Sequence, residues 1–202
     1  MKKSLILAVL ATTAFSFAAP VAITSANAAA MMSSSMKSGM GETKMVGGAP
    51  MYPTKNIIQN AVNSKDHTTL VAAVKAAGLV DTLEGAGPFT VFAPTNEAFA
   101  ALPAGTVDNL LKPANKQTLV TILTDHVIAG HYDTKDLLAA AKKMGGSVKM
   151  KTVGGAWLTF TAKGDHVYVT DEAGGTARIT IANVEQSNGV IQVVNKVLLP
   201  KM

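Results

Sequence analysis

The hydrophobic period of the sequence changes near Ser147, and this change restricts the fold more than any other feature does. Before Ser147, apolar residues recur three and four positions apart, for example across the helix predicted over Lys116–Val127. After Ser147 the period is two: Leu158 and Phe160 alternate with threonines, and glycine-containing turns separate the alternating segments. Helices followed by antiparallel strands predict an α+β fold.

Polar residues that can cap helices mark where several of the predicted helices begin. Asp66 is expected to cap one helix, and either Thr95 or Asn96 is expected to cap a short helix that follows a predicted strand. Asp133 is expected to begin a further helix, in which Asp136 returns the capping interaction. These boundaries, with the alternating segments, divide the second half of the chain into short elements.

The N-terminal segment has the pattern of an export signal. Lys2 and Lys3 precede the apolar run Leu5–Ala19, and Ala26-Asn27-Ala28 supplies the small residues that signal peptidase requires. The apolar run is shorter than the roughly 20 residues that span a bilayer. We therefore predict a Sec-type signal peptide over residues 1–28, cleaved after Ala28, and a secreted or periplasmic protein with no integral membrane segment after cleavage.

Residues 29–53 differ in composition from the rest of the chain and are predicted to form a flexible linker rich in Met, Gly and Ser. The folded domain is expected over residues 54–200. Thioether sulfur is a soft ligand for Cu(I), so the alternative function is that of an exported metal-binding or stress-related protein. Six of the ten methionines lie in the predicted linker: Met31, Met32, Met36, Met40, Met45 and Met51.

Several kinds of chemistry are excluded or left without a motif. The chain has no cysteine, which excludes disulfides, thiolate nucleophiles and iron–sulfur clusters. No phosphate-binding or nucleophile-elbow motif occurs, so we assign no catalytic residue, no metal ligand and no cofactor, and we expect no enzymatic activity. Nucleic acid is not expected as a partner, because the net charge is only +5 and Arg178 is the single arginine.

Three segments resemble the fasciclin domain family. Thr90–Phe99 resembles the first signature box of that family, Asn188–Pro200 resembles its second box, and Leu123–Ile128 resembles its central Tyr-His segment, with Asp125 in place of the tyrosine. The resemblance covers about residues 54–200. It implies an α+β wedge of two β-sheets with helices packed around it.

The family resemblance also implies a function. It indicates an adhesive module of the cell surface or matrix that binds proteins or polysaccharides and is not an enzyme, and secreted bacterial single-domain members are the most similar. Integrin-type recognition through the tyrosine is not carried over to Asp125. The ligand, the oligomeric state and the choice between periplasm and medium stay open. The residues that the resemblance implies as structural or partner-binding candidates are Thr95, Asn96, His126, Asn188 and Gly189.

Within this set, Asn96 and His126 are expected to act first as structural supports and second as contact residues. The resemblance implies that Asn96 hydrogen-bonds near His126 and ties the two boxes to the central helix. His126 lies beside an apolar helical stripe, where a buried imidazole requires hydrogen-bond partners.

Overall fold

Nine strands form two sheets in residues 43–201, the part of the chain that the computed structural model describes. The first two strands form a separate hairpin, and the other seven form one mixed sheet in the order β4-β3-β9-β8-β7-β6-β5. The strands are β1 Lys44–Val46, β2 Ala49–Met51, β3 Phe89–Pro94, β4 Val127–Ala129, β5 Ser147–Lys151, β6 Trp157–Lys163, β7 His166–Thr170, β8 Thr176–Gln186 and β9 Gly189–Val194.

Every α-helix of the described residues ends before Ser147, where the antiparallel run β5–β8 begins, as the change of period predicts. The α-helices are α1 Ile57–Ala61, α2 Thr68–Ala77, α3 Val80–Glu84, α4 Asn96–Ala100, α5 Thr106–Leu110, α6 Lys116–Asp125 and α7 Thr134–Lys143, with 3₁₀ turns at Lys65–His67 and Pro113–Asn115. The predicted α+β class is confirmed.

Two of the predicted helix caps form and one does not. Thr95 Oγ1 accepts a hydrogen bond from Ala98 N at 3.3 Å and caps α4. The backbone N–H of Asp133 donates to Asp136 at 3.3 Å at the start of α7. Asp66 lies inside a 3₁₀ turn instead of capping α2, because that helix begins two residues later.

The two signature boxes lie side by side, because β3 pairs in parallel with β9, Phe89 opposite Gly189 and Pro94 opposite Val194. All six residues of β9 and five of the six in β3 are buried. A strand that is covered on both faces has a continuous apolar run without alternation. On its other side β3 pairs with β4, which is why α6 ends at Asp125 and not at the predicted Val127.

Strand β8 bends the large sheet. Its first residues pair with β7, and its later residues pair with β9 across two register shifts, between Ile179 and Ile181 and between Ile181 and Val184. Asn183 has a φ of 55° within this irregular stretch, a left-handed conformation that asparagine tolerates better than most residues. The bend divides the sheet into a half beside helices α1–α6 and a half that packs on α7, each with its own buried apolar cluster.

The β1–β2 hairpin belongs to the folded domain, although the sequence assigns it to the predicted flexible linker. Val46 and Met51 are only 3% and 2% exposed and join the core beside the helices. Three-residue strands are too short to show a recognisable alternation of apolar and polar residues. The prediction of a linker therefore rested on the Met-, Gly- and Ser-rich composition alone. Met51 is therefore a core residue and unavailable as a metal ligand. Residues 1–28 and 29–42 lie outside the described residues, and none of the helices within 43–201 has the length and apolar character needed to cross a bilayer.

Candidate functional site

Asn96, near the end of the first box, holds the start of helix α2. Its Oδ1 accepts hydrogen bonds from Thr69 N at 3.0 Å and Thr68 Oγ1 at 3.2 Å, and its Nδ2 donates to Lys65 O at 2.8 Å. The first N–H groups of a helix have no partner within the helix, so Asn96 supplies one from a distant segment. The side chain therefore bonds to α2 and not near His126, contrary to the expectation.

His126 makes the link between the central segment and the second box. The residue is 2% exposed, its Nδ1 lies 2.8 Å from Ile122 O, and Leu198 N donates to its Nε2 at 2.9 Å. Since Nε2 accepts a hydrogen bond from a backbone N–H, the hydrogen of the neutral imidazole is assigned to Nδ1. Burial lowers the pKa of His126 to about 4, so the ring is neutral at physiological pH.

Asn188 and Gly189 form the turn that places β9 beside β3. Asn188 Oδ1 accepts from Ile57 N at 3.1 Å, and its Nδ2 donates to Leu83 O at 2.7 Å and Gly85 O at 3.0 Å. Gly189 has a φ of 153°, and a Cβ there would lie 2.0 Å from the carbonyl oxygen of Phe89. The side chain of Asn188 and the backbone of Gly189 thus both make their contacts within the domain.

Asp125, which takes the place of the family tyrosine, is buried under the β5–β6 turn. Thr152 Oγ1 donates to Asp125 Oδ1 at 2.9 Å, while Oδ2 has no hydrogen-bond partner among residues 43–201. Burial raises the pKa of this carboxyl group. A Cβ on Gly154 would lie 2.3 Å from Oδ1, so only glycine lets the turn approach this closely. A carboxyl group in this position is not available to a partner.

An outward face of the sheet, formed by β5, β6, β7 and the start of β8, has no described helix packed on it. Residues paired in register point to the same side, and the alternate residues point to the buried cluster beneath. We call this surface the β5–β8 face. Its residues are Ser147, Lys149, Lys151, Trp157, Thr159, Thr161, Lys163, His166, Tyr168, Thr170, Thr176, Arg178 and Thr180.

The β5–β8 face has an unusual composition for an exposed sheet surface. It carries four permanent cations, and the strand segments 147–151, 157–163, 166–170 and 176–180 contain no Asp or Glu. Trp157, the single tryptophan of the chain, is 47% exposed on it. Lys163 Nζ lies over the aromatic ring of Tyr168, 5.4 Å from the ring centroid, which is within the range of a cation–π interaction.

His131, Asp133 and Glu185 are the side chains within the described part of the chain that could together hold a metal ion. Their ligand atoms lie within 4.8 Å of one another, and His131 Nε2 is 2.9 Å from Glu185 Oε2. Imidazole nitrogen and carboxylate oxygen are ligands that Zn²⁺ accepts. The hydrogen bond to Glu185 raises the pKa of His131, and the two side chains already satisfy each other's hydrogen-bonding capacity at the surface.

A buried amide holds the loop that carries this cluster. Gln192 is fully buried, and its Nε2 donates to Tyr132 O at 3.2 Å and to Asn183 Oδ1 at 3.0 Å. Its Oε1 accepts from Asn183 N at 2.9 Å, and Asn183 Oδ1 also accepts from Thr134 N at 2.9 Å. The left-handed backbone of Asn183 thus places its amide between β9 and the start of α7.

Ser64 and His67 are of the types found in hydrolytic sites, but their placement does not suit catalysis. Ser64 Oγ lies 2.8 Å from His67 Nδ1, and both residues are buried beneath the β1–β2 hairpin. Burial lowers the pKa of His67. Gly47 lies so close that a Cβ there would be 2.3 Å from Ser64 Oγ. The backbone of the β1–β2 hairpin therefore covers the hydroxyl group at Gly47.

Comparison with known proteins identifies the family. The family model described as Fasciclin domain matches residues 65–200, which include both signature boxes and the central segment. This chain belongs to the fasciclin domain family. The resemblance inferred from the two boxes is confirmed.

Relatives of this fasciclin domain occur in cyanobacteria and mycobacteria. Protein sll1483 of Synechocystis is 45% identical over 161 residues, which cover 80% of this chain and 82% of that protein. The cell surface glycolipoprotein MPB83 of Mycobacterium bovis is 33% identical over 162 residues, covering 80% of this chain and 63% of that protein.

A solved structure has the same fold as this fasciclin domain. It is a pair of FAS1 domains from the insect cell adhesion molecule fasciclin I, with a TM-score of 0.64 and 19% sequence identity. The match covers 73% of this chain and 52% of the insect chain. At that identity the likeness concerns the fold alone.

Sequence reasoning located the box residues of the fasciclin domain but not its exposed face. The alternation of lysines with Val148 and Met150, and of threonines with Leu158 and Phe160, already indicates which side chains point outward. It does not indicate which strands are neighbours, so the outward residues could not be joined into one surface. The pairing of His131 with Glu185, 54 residues away, has no local signal at all.

Proposed function

We propose that this fasciclin domain is an exported, non-enzymatic adhesion module that binds cell-surface or matrix proteins or glycans. The observation that carries the proposal is the uncovered β5–β8 face with its exposed Trp157. Exposed tryptophan is uncommon on surfaces that meet only water, and aromatic residues are enriched where proteins bind partners. The family boxes, in contrast, make their contacts in the interior and support this surface from behind.

Two similarities support an adhesive role. The solved structure with the same fold comes from a protein described as a cell adhesion molecule, and the mycobacterial relative is described as a cell surface glycolipoprotein. Both descriptions fit a domain that acts outside the cytoplasm. The burial of Ser64 and His67, the pair nearest in type to a hydrolytic site, favours binding over catalysis.

Export depends on the predicted signal peptide, and it can be tested separately from adhesion. The protein recovered from the periplasm or medium should begin at Ala29, because cleavage is predicted after Ala28. Intact-mass measurement of the exported protein checks this. Recovery of the full-length chain with the cytoplasmic or membrane fraction would contradict the prediction.

Adhesion is tested with beads that carry the exported form of the chain. The beads are mixed with the producing cells and with polymers extracted from the cell surface, and beads coated with an unrelated protein of similar net charge serve as the control. The proposal predicts retention of the fasciclin-coated beads well above the control. Equal retention of both kinds of bead would refute an adhesive function.

A further inference from the structure

The β5–β8 face extends over four paired strands and has a definite size. The register places Ser147, Thr161, Tyr168 and Arg178 in one row across the four strands, and Lys149, Thr159, Thr170 and Thr176 in the next row. With the ordinary strand spacing and rise per residue, the face measures about 14 Å across the strands and about 20 Å along β6. An extended polymer can therefore lie along it and contact several rows.

Positive charge is distributed around the margin of this face. Lys149 and Lys151 lie on the edge strand β5, Arg178 lies on the far side on β8, and Lys163 lies at one end of β6. Acidic residues lie in the turns that border the strands: Asp165 precedes His166, and Glu172 accepts a hydrogen bond from Trp157 N at 3.1 Å. Because no carboxylate lies within the strand segments themselves, these cations are available to the anionic groups of a partner.

Threonines and Tyr168 occupy the middle rows of the face, and Trp157 lies at its margin, at the first position of β6. Thr170 and Thr176 hydrogen-bond to each other at 3.1 Å, and the neighbouring rows add further threonines. Hydroxyl groups both donate and accept hydrogen bonds. Trp157 and Tyr168 combine a broad apolar ring with a polar tip, which suits a partner that is itself partly apolar and partly hydroxylated.

We infer that the β5–β8 face binds an acidic polysaccharide, with the lysines and Arg178 contacting its carboxylates, the threonines its hydroxyls and Trp157 the face of a sugar ring. This inference rests on the proposed adhesive function and names the partner class and the surface. Lysines on an edge strand can prevent that edge from pairing with another chain, and this role alone would account for the lysines of β5. It would not account for Trp157 or Arg178, which lie on the interior strands β6 and β8.

Two other anionic partners fit this face less well. A membrane surface is bound by elements with a continuous apolar side, whereas threonines occupy the centre of this surface. Single-stranded nucleic acid is bound by arrays of aromatic side chains along a basic groove, whereas this face carries one exposed tryptophan and one tyrosine. Both partners are included below as competing outcomes.

The test measures binding of the exported chain to polygalacturonate and to the same polymer after full methyl esterification, which removes the charge and keeps the sugar backbone. The variants are Lys149→Gln/Lys151→Gln, Arg178→Gln and Trp157→Ala. The matched control is Lys75→Gln/Lys116→Gln, which removes two exposed lysines from helices α2 and α6. Each variant is first checked for an unchanged unfolding midpoint.

We expect binding to polygalacturonate that weakens at high salt, because exposed charges are screened. Binding to the ester should be much weaker. The strand double variant should bind about tenfold more weakly, as expected when two exposed ion pairs are lost. The helix control should bind like the unmodified protein, and Trp157→Ala should weaken binding at both salt concentrations.

Three results would overturn the inference: equal binding of the ester, unchanged binding by the strand double variant, or tighter binding to single-stranded DNA or to anionic vesicles. The bead assay separates this failure from failure of the proposed function. If beads that carry the strand double variant still adhere to cells, the adhesive function stands and the assigned surface is wrong. If unmodified beads do not adhere, the adhesive function itself fails.

Discussion

The backbone N–H of Leu198 donates a hydrogen bond to Nε2 of His126 at 2.9 Å, across 72 positions of sequence. Nδ1 of the same ring lies 2.8 Å from Ile122 O, so one buried imidazole joins the last turn of α6 to the chain beyond β9. The central segment and the second box of the fasciclin domain are held together at this residue. Substitution of His126 should therefore lower the stability of the whole domain.

Replacing His126 by alanine should lower the free energy of unfolding by ~1–3 kcal/mol, because the Leu198 amide is left buried without an acceptor. Urea denaturation followed by tryptophan fluorescence measures the change. His166→Ala removes an exposed histidine from β7 and serves as the control, for which no comparable loss is expected. An unchanged midpoint for the His126 variant would show that the ring contributes no net stability.

Stability should also depend on pH through His126. Its pKa is lowered from 6.5 to about 4 in the folded state, so between these values the unfolded chain binds more protons. The stability that His126 contributes is therefore fully present above pH 6.5 and is lost as the pH falls toward about 4. Over this range the free energy of unfolding should fall by about 3 kcal/mol through His126. His67, whose pKa is also lowered, contributes in the same direction.

A pH series of unfolding midpoints for His126→Gln isolates the His126 contribution from that of His67. The variant should show a shallower decline between neutral and acidic pH than the unmodified protein. Parallel profiles for the two proteins would mean that His126 titrates equally in the folded and unfolded states, which its buried position argues against.

Gly189→Ala should destabilise the domain severely, by more than about 3 kcal/mol, because it combines a left-handed backbone with a clash. The new Cβ would lie 2.0 Å from Phe89 O, where β3 and β9 meet. Gly164→Ala is the matched control: its φ of 60° is also left-handed, but nothing lies within 4 Å of the added Cβ. Thermal unfolding of both variants should show a much larger loss at 189, and similar losses would contradict the steric argument.

Asn96→Ala should lower the free energy of unfolding by ~1–3 kcal/mol, because the variant leaves Thr69 N and Lys65 O without their side-chain partner. The loss should be concentrated at the start of α2. Amide hydrogen exchange checks the location, and the amide of Thr69 should lose protection relative to amides late in the same helix. Uniform loss of protection along α2 would indicate a general destabilisation.

The elements that local chemistry determines were predictable from the sequence. Thr95 and Asn96 follow a strand and precede a short helix, so the first cap could be assigned to one of these two residues without knowing the fold. Asp133 stands three residues before Asp136, so the second cap could be assigned to Asp133 itself. The alternation after Ser147 likewise identified the strands. In each case the pattern lies within a few residues of the element that it describes.

The elements that depend on distant partners were not predictable. Val127–Ala129 continues the helical period of α6 but becomes a strand because β3 offers it an edge to pair with. Asn96 was expected near His126, yet it bonds to α2, since only the packed structure determines which buried amides lie within its reach. Asp125 is buried, although an aspartate side chain is charged in water. None of the residues close to Asp125 in the sequence indicates that Thr152 would donate a hydrogen bond to it.

The position of β9 between β3 and β8 has a consequence for biogenesis. β9, the last strand of the described residues, pairs with both β3 and β8 in the half-sheet beside the helices, so that half cannot close until residues 189–194 are present. Contacts between such distant segments form late and slowly. This half-sheet therefore folds only after residues 189–194 have been synthesised, and a shorter product that lacks them leaves the edges of β3 and β8 that pair with β9 open to other strands.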